Sequence, residues 1–217
     1  MILPETFYQS EDVVVVARLL LGKVLVTRSE GFVSTAVIVE TEAYRAPDDK
    51  ACHAYGNRLT QRTKTMFMEG GTVYVYTCYG IHPMFNVVTG REGQAHAVLI
   101  RAVELLHPEP HFMQRRKLHD FSPDLANGPG KLTIALGINK SMNGVKLFDP
   151  ESPVTLQDHD IRIPEEKIVT SCRVGMSVHT GPCAHRPWRF YIRDNAWVSK
   201  PAFPDYSDII PHKSYKN

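Results

Sequence analysis

Ala36-Val-Ile-Val-Glu-Thr-Glu-Ala-Tyr44 is the stretch on which the fold turns. It is rich in β-branched residues, and a turn at Glu30-Gly31 precedes it, so a strand is predicted from Ser34 to Tyr44. Alternation puts Ile38, Glu40, Glu42 and Tyr44 on one face and Val37, Val39, Thr41 and Ala43 on the other. Two acids and a tyrosine on one face of an apolar strand are unusual, because a buried acid is costly unless it is paired or used. Two readings stand at this point. Either Glu40 pairs with an arginine while Glu42 faces solvent, or the acids do chemistry.

Working outward, a helix is expected over Val13 to Leu21, capped by Ser10, with Glu11 and Asp12 in its first turn and Gly22 as its stop. Lys23 to Arg28 reads as a strand. Downstream, Arg45 to Thr65 is polar and carries Pro47, Gly56 and several cations, which predicts a long loop with room for one helical turn, of a length that is usually functional or mobile. Gly70-Gly71 turns the chain into a strand over Thr72 to Cys78. Gly80 and Pro83 break it before an extended Met84 to Thr89, so the pair predicts a hairpin with Tyr79 at its tip. Ala97 to Glu104, Val154 to Gln157 and Arg189 to Arg193 read as further strands. Pro110 to Leu118 and Pro129 to Leu136 read as helices that open on proline.

The 217 residues suit one domain, with 201–217 as a polar, loosely held tail. Hydrophobic residues at 43% and charged ones at 22% are ordinary for a soluble globular chain. A net charge of +2 permits nucleic acid binding without arguing for it. The N-terminus lacks the basic and apolar run of a signal peptide, and Val13 to Leu21 is too short to span a bilayer, so an intracellular protein is expected. Cys52, Cys78, Cys172 and Cys183 form no CxxC pair, and no HExxH is present; free thiols and no metal are expected.

Tyr74 and Tyr76 share a strand face, and packing is the expected role of all three tyrosines; Tyr79, beside glycine at a hairpin tip, has less packing to offer and can also act as a wedge or stacking platform. Arg58, Arg62 and Lys64 alternate with Thr60, Thr63 and Thr65, the side chains that commonly bind phosphates, although a solvated loop has the same composition.

Taken together, several segments resemble the alkyladenine (3-methyladenine) DNA glycosylase family. They are Val39-Glu-Thr-Glu-Ala-Tyr44, Ala51-Cys-His53, Met66-Phe-Met68, Gly71 to Gly80, Asn86, Leu99-Ile-Arg101, Gly128-Pro-Gly-Lys-Leu132, Ile138-Asn-Lys140, Arg173-Val-Gly175 and Arg189-Phe-Tyr191. The resemblance runs along nearly the whole chain. It implies a mixed α/β single domain with a curved antiparallel sheet, flanking helices and a protruding β-hairpin. It also implies a monofunctional enzyme that flips an alkylated or deaminated purine from double-stranded DNA and hydrolyses its bond to the sugar, as a monomer and without a cofactor. By resemblance, Glu42 is the general base, and Arg101 and the carbonyl of Val174 hold the attacking water. Tyr44, His53 and Tyr76 clamp the base, Asn86 obstructs the amino group of normal guanine, and Tyr79 fills the gap in the duplex. Arg58, Arg62, Lys64 and Lys131 are candidates for DNA-backbone contacts. Ile81 and His82 depart from the vertebrate pattern, which carries methionine and an aromatic there. Two other readings are kept: a hydrolase of free nucleosides or glycans using Glu40 and Glu42 as an acid pair, and a non-catalytic nucleic-acid-binding module.

Overall fold

A computed structural model describes residues 1–78 and 80–199. Tyr79, the expected hairpin tip, and the tail 201–217 lie outside the described residues.

The chain forms strands β1 (Val24–Ser29), β2 (Phe32–Arg45), β3 (Val73–Cys78), β4 (His82–Thr89), β5 (His96–Leu105), β6 (Val154–Gln157), β7 (Ile168–Ser171) and β8 (Arg189–Ile192). Among the described residues, four α-helices accompany them: α1 (Glu5–Tyr8), α2 (Val13–Leu19), α3 (Pro110–Arg116) and α4 (Pro129–Ala135). The strands make one antiparallel sheet in the order β3-β4-β5-β2-β1-β6, with β8 joining β2 and β7 joining β8. Strand β2 is the spine. Its first half lies between β1 and β5, and Glu40 to Glu42 lie between β8 and β5. The expected mixed α/β architecture is the one observed.

One face of the sheet carries Ala43, Val73, Val75, Phe85, Val87, Val98 and Ile100 and is buried under α2 and α4 in the main core. Thr41 donates its hydroxyl to the Ala17 carbonyl of α2 at 2.8 Å, so this polar group is satisfied where it is buried. The opposite face carries a second, smaller apolar cluster built on Tyr74, Val88 and Ala97, with Tyr44 and Tyr76 packed against it. The sheet thus separates a face that stabilises the fold from a face open to other use.

Three expectations need correction. The cap of α2 is Asp12, whose Oδ1 accepts from the Val14 amide at 2.9 Å, while the Ser10 hydroxyl, two residues before it, accepts from the Asp12 amide. The helix also ends at Leu19 rather than Leu21. Ile38 does not share the face of Glu42 and Tyr44: the β2–β5 register shifts between Ile38 and Glu40, and Ile38 belongs to the main core. Such bulges re-aim the residues beside them.

Candidate active site

Directly opposed residues of an antiparallel pair share a face. The pairings Arg189–Glu42, Glu42–Leu99, Leu99–Asn86 and Asn86–Tyr74 therefore make one continuous row across four strand boundaries. Tyr44 and Tyr76 stand two residues along from Glu42 and Tyr74 on the same face. The alternation of β2 and β3 thus assembles an acid, an amide and three tyrosines on the sheet face away from the main core.

Glu40 and Glu42 are both fully buried, but they are held very differently. Glu40 accepts from Arg101 Nε at 2.9 Å, Arg189 Nε at 2.7 Å, the Ser199 amide at 2.8 Å and the Ser199 hydroxyl at 2.8 Å. Burial alone would raise its pKa; the Arg101 and Arg189 guanidinium groups and the Ser199 hydroxyl outweigh that and hold it below the usual carboxylate range. A carboxylate so saturated with donors cannot act as a general acid, and this removes the reading in which Glu40 and Glu42 work as an acid pair. Arg101 is the unpaired residue at the second β2–β5 register shift, between Ile100 and Ala102. Burial opposes its charge, but Glu42 and Glu40 more than offset this and raise its pKa.

Among the described residues, Glu42 has three polar contacts. Oε2 accepts from the Tyr44 hydroxyl at 2.7 Å, Oε1 accepts from the Val174 amide at 2.6 Å, and Arg101 Nη1 lies 3.4 Å from Oε1. Burial and the neighbouring Glu42 charge keep the Tyr44 phenol far above its ordinary pKa, so the hydroxyl remains a donor. The carboxylate is oriented but retains lone-pair capacity, since an ionised carboxylate offers about four acceptor sites.

Val174 is brought to Glu42 by its neighbour. Arg173 and Asp49 form a wholly buried ion pair, with Arg173 Nη2 donating to Asp49 Oδ1 at 2.9 Å and further bonds running to the carbonyls of Ala43 and Cys183. The Arg173 guanidinium also lies 4.7 Å from the centroid of the Tyr44 ring, covering one of its faces.

The third part of the site is aromatic. His53 meets Tyr76 edge to face at 4.5 Å, and its Nδ1 lies 3.0 Å from the Tyr74 hydroxyl. Arg62 donates from Nη2 to His53 Nε2 at 3.0 Å and sits 5.1 Å from the centroid of Tyr76. Arginine can only donate, so Nε2 is the acceptor and Nδ1 carries the proton toward Tyr74. Burial, then the Arg62 charge, push the His53 pKa down to about 4. Two-dimensional NMR titration is expected to show a neutral His53 ring down to that pH. Arg62→Ala is expected to move the transition up toward the ordinary 6.5, and an unchanged midpoint would mean that Arg62 does not face the ring in solution.

This chain matches the family model described as methylpurine-DNA glycosylase over residues 6–196. The chain belongs to the methylpurine-DNA glycosylase family. It is a DNA glycosylase, a hydrolase of DNA repair. A Chlamydia pneumoniae relative named "Putative 3-methyladenine DNA glycosylase" is 44% identical over 195 residues, which covers 88% of this chain and 94% of the relative. One of the same name from Bdellovibrio bacteriovorus is 42% identical over 200 residues, covering 92% of this chain and all of the relative.

Membership of the methylpurine-DNA glycosylase family gives the expected site residues a common frame. Glu42, Tyr44, Arg101 and Val174 are brought together, as are His53 and Tyr76. Asn86 is buried in the same row, its amide nitrogen donating to the carbonyls of Tyr74 and Met84, both at 3.1 Å. Arg58 and Lys64 are exposed on the loop that bears Arg62, and hydrogen bonds from Thr63 to Arg58 and Thr60 give that loop a fixed form. Lys131 stands apart, paired with Asp124 and Asn127 near the start of α4. The roles of Asp49, Arg173, Arg189 and Ser199 were not legible in the sequence, although Arg173-Val-Gly175 and Arg189-Phe-Tyr191 stood out as segments. A cavity of about 460 Å³ lined by Glu11, Arg45, Asp48, Gln94 and His96 is separate from all these groups.

All four cysteines are free, and burial pushes the Cys52 thiol up to about 12, which makes it unreactive.

Proposed function

We propose that this glycosylase extrudes alkylated and deaminated purines, including 3-methyladenine, 7-methylguanine and hypoxanthine, from double-stranded DNA and hydrolyses their N-glycosidic bonds as a monomer. The observation that carries this reading is the Glu42 carboxylate, buried yet held by Tyr44, Val174 and Arg101 beside an aromatic wall. Every group the reaction needs comes from one chain.

A stacked base is inaccessible, and flipping it costs a few kcal/mol. Stacking on aromatic rings recovers about 1–3 kcal/mol per base. Tyr44 has Arg173 over one face, which leaves the other for the base, and the His53–Tyr76 pair forms the opposing wall. We assign Asn86, buried in the same row, to obstructing the exocyclic amino group of normal guanine. As the bond from the base nitrogen to C1′ breaks, its electron pair stays with the base. An alkylated, cationic purine therefore leaves neutral, and a deaminated, neutral one leaves as its anion and takes up a proton from solvent. Positive charge grows on the sugar, where Glu42 stabilises it, and Glu42 takes the proton of the water that forms the new C1′–O bond. Arg101 and the Val174 segment position that water.

We assign Tyr79 as the wedge that replaces the evicted nucleotide. Support comes from the hairpin base. Thr133 donates to the Pro83 carbonyl at 2.9 Å, and a Cβ at Gly130 would come within 3.2 Å of His82, so α4 packs tightly against the hairpin. Ile81 beside the tip is apolar and 69% exposed. Tyr79→Ser is expected to weaken binding to an abasic duplex about tenfold or more, measured by fluorescence anisotropy; unchanged affinity would remove that role.

The function is tested with duplexes that each carry one defined lesion, and chromatography of what is released. Free hypoxanthine or methylated purine, with an intact abasic strand left behind, is the expected result. Duplexes that remain whole with every lesion, or strand cleavage at the site, would overturn the reading.

A further inference from the structure

We infer that Arg62 is a displaceable plug of the base pocket, which occupies the His53–Tyr76 wall until a flipped purine takes its place and which disfavours cationic bases while it remains. The inference rests on the reading of that wall as the base site.

Arg62 is an exposed residue, and an exposed arginine ordinarily keeps its guanidinium in water. Here the planar cation lies over the Tyr76 ring and binds the free nitrogen of His53. It therefore takes both kinds of contact a purine would make on this wall: stacking on an aromatic face and a hydrogen bond to the imidazole edge. A guanidinium and a purine cannot both hold them. The contacts are weak ones, a cation–π contact and one hydrogen bond at a partly solvated site, so the plug can be displaced. The loop around Arg62 is tied by Thr60 and Thr63, so displacement needs only the side chain to swing. Arg58 and Lys64 flank it on the same exposed loop, and a released guanidinium joins them as a ligand for a backbone phosphate.

Two consequences separate this from a fixed phosphate contact. A base enters only the fraction of molecules in which the plug is out, so apparent affinity is reduced by that fraction. A purine that carries positive charge also meets a like charge, whereas a neutral one does not.

The test uses bases without sugar or phosphate. Binding of neutral 9-methylhypoxanthine and of the 7,9-dimethylguaninium cation is measured by calorimetry on the wild-type chain, on Arg62→Ala and on Arg62→Lys. Arg62→Ala is expected to bind both probes about tenfold more tightly, with the larger gain for the cation. Arg62→Lys, which keeps the charge but lacks the planar fork, is expected to gain less for the cation than for the neutral probe. The same Arg62→Ala protein is expected to bind abasic duplex more weakly, with its salt dependence shallower by about one released ion. Unchanged or weaker binding of the free bases by Arg62→Ala, with the wild type binding them, would overturn the plug and leave the pocket standing. Binding by neither protein would overturn the pocket itself, and the plug with it.

Discussion

Glu42→Gln is expected to release damaged base at least about a thousand times more slowly than the wild-type chain, with little change in folding or in binding to lesion-bearing DNA. The retained fold follows from the contacts. The amide oxygen of glutamine can take the place of Oε1, accepting from the Val174 amide and lying near Arg101, while its NH2 group replaces Oε2 and donates to the Tyr44 oxygen. Shape and hydrogen bonds are conserved, and only the charge and the basic lone pair are lost. These are the two properties needed when positive charge appears on the sugar and a water must surrender its proton. Single-turnover excision on a hypoxanthine duplex, beside a binding isotherm on the same DNA, separates chemistry from affinity. Excision within tenfold of wild type would show that Glu42 is not the base.

The second large effect is on stability. Glu40→Gln leaves the buried Arg189 without its carboxylate and leaves Arg101 only the longer contact to Glu42, and removing one member of a buried charge cluster costs about 3–5 kcal/mol. For a chain of this size that lowers Tm by roughly 10 °C. The pH dependence follows from the same group. Its folded-state pKa is depressed below the ordinary 4.5, so its contribution is fully present above that value and is lost as pH falls below it toward the folded pKa. Urea unfolding between pH 7 and pH 3 is expected to show this acid loss in the wild type. Glu40→Gln should lack that component and be less stable at neutral pH. A difference below about 1 kcal/mol at pH 7 would mean that the cluster is not closed in solution.

The sheet was readable because its strands announce themselves locally. The β-branched run through β2 and the turn glycines before β3 set period and boundaries, and the β6 limits match the expected ones. What escaped was non-local. Strand β7 is four residues long and exists because β8 pairs with it, a relation no local pattern carries. The parity of Ile38 failed because a bulge follows it, and alternation has no signal for an extra residue. In the site, alternation placed Glu42 beside Tyr44 and Tyr74 beside Tyr76, and the structure keeps both pairs. The Asp49–Arg173 clamp joins residues 124 positions apart, so neither looked special alone. Arg62 was legible as a loop cation suited to phosphate, but its placement on Tyr76 depends on how the loop folds back.

The Arg173 cation that backs Tyr44 also lies against Trp188, which has guanidinium groups of Arg45, Arg173 and Arg186 at 5.0, 5.3 and 4.5 Å from its ring. The chain has only two tryptophans, and the other, Trp197, is buried against Phe121. Indole emission is sensitive to nearby charge, so Trp188 gives this enzyme an intrinsic optical reporter. Its emission is expected to change if lesion engagement shifts any of these three guanidinium groups, which a stopped-flow instrument can time without attaching a dye to protein or DNA.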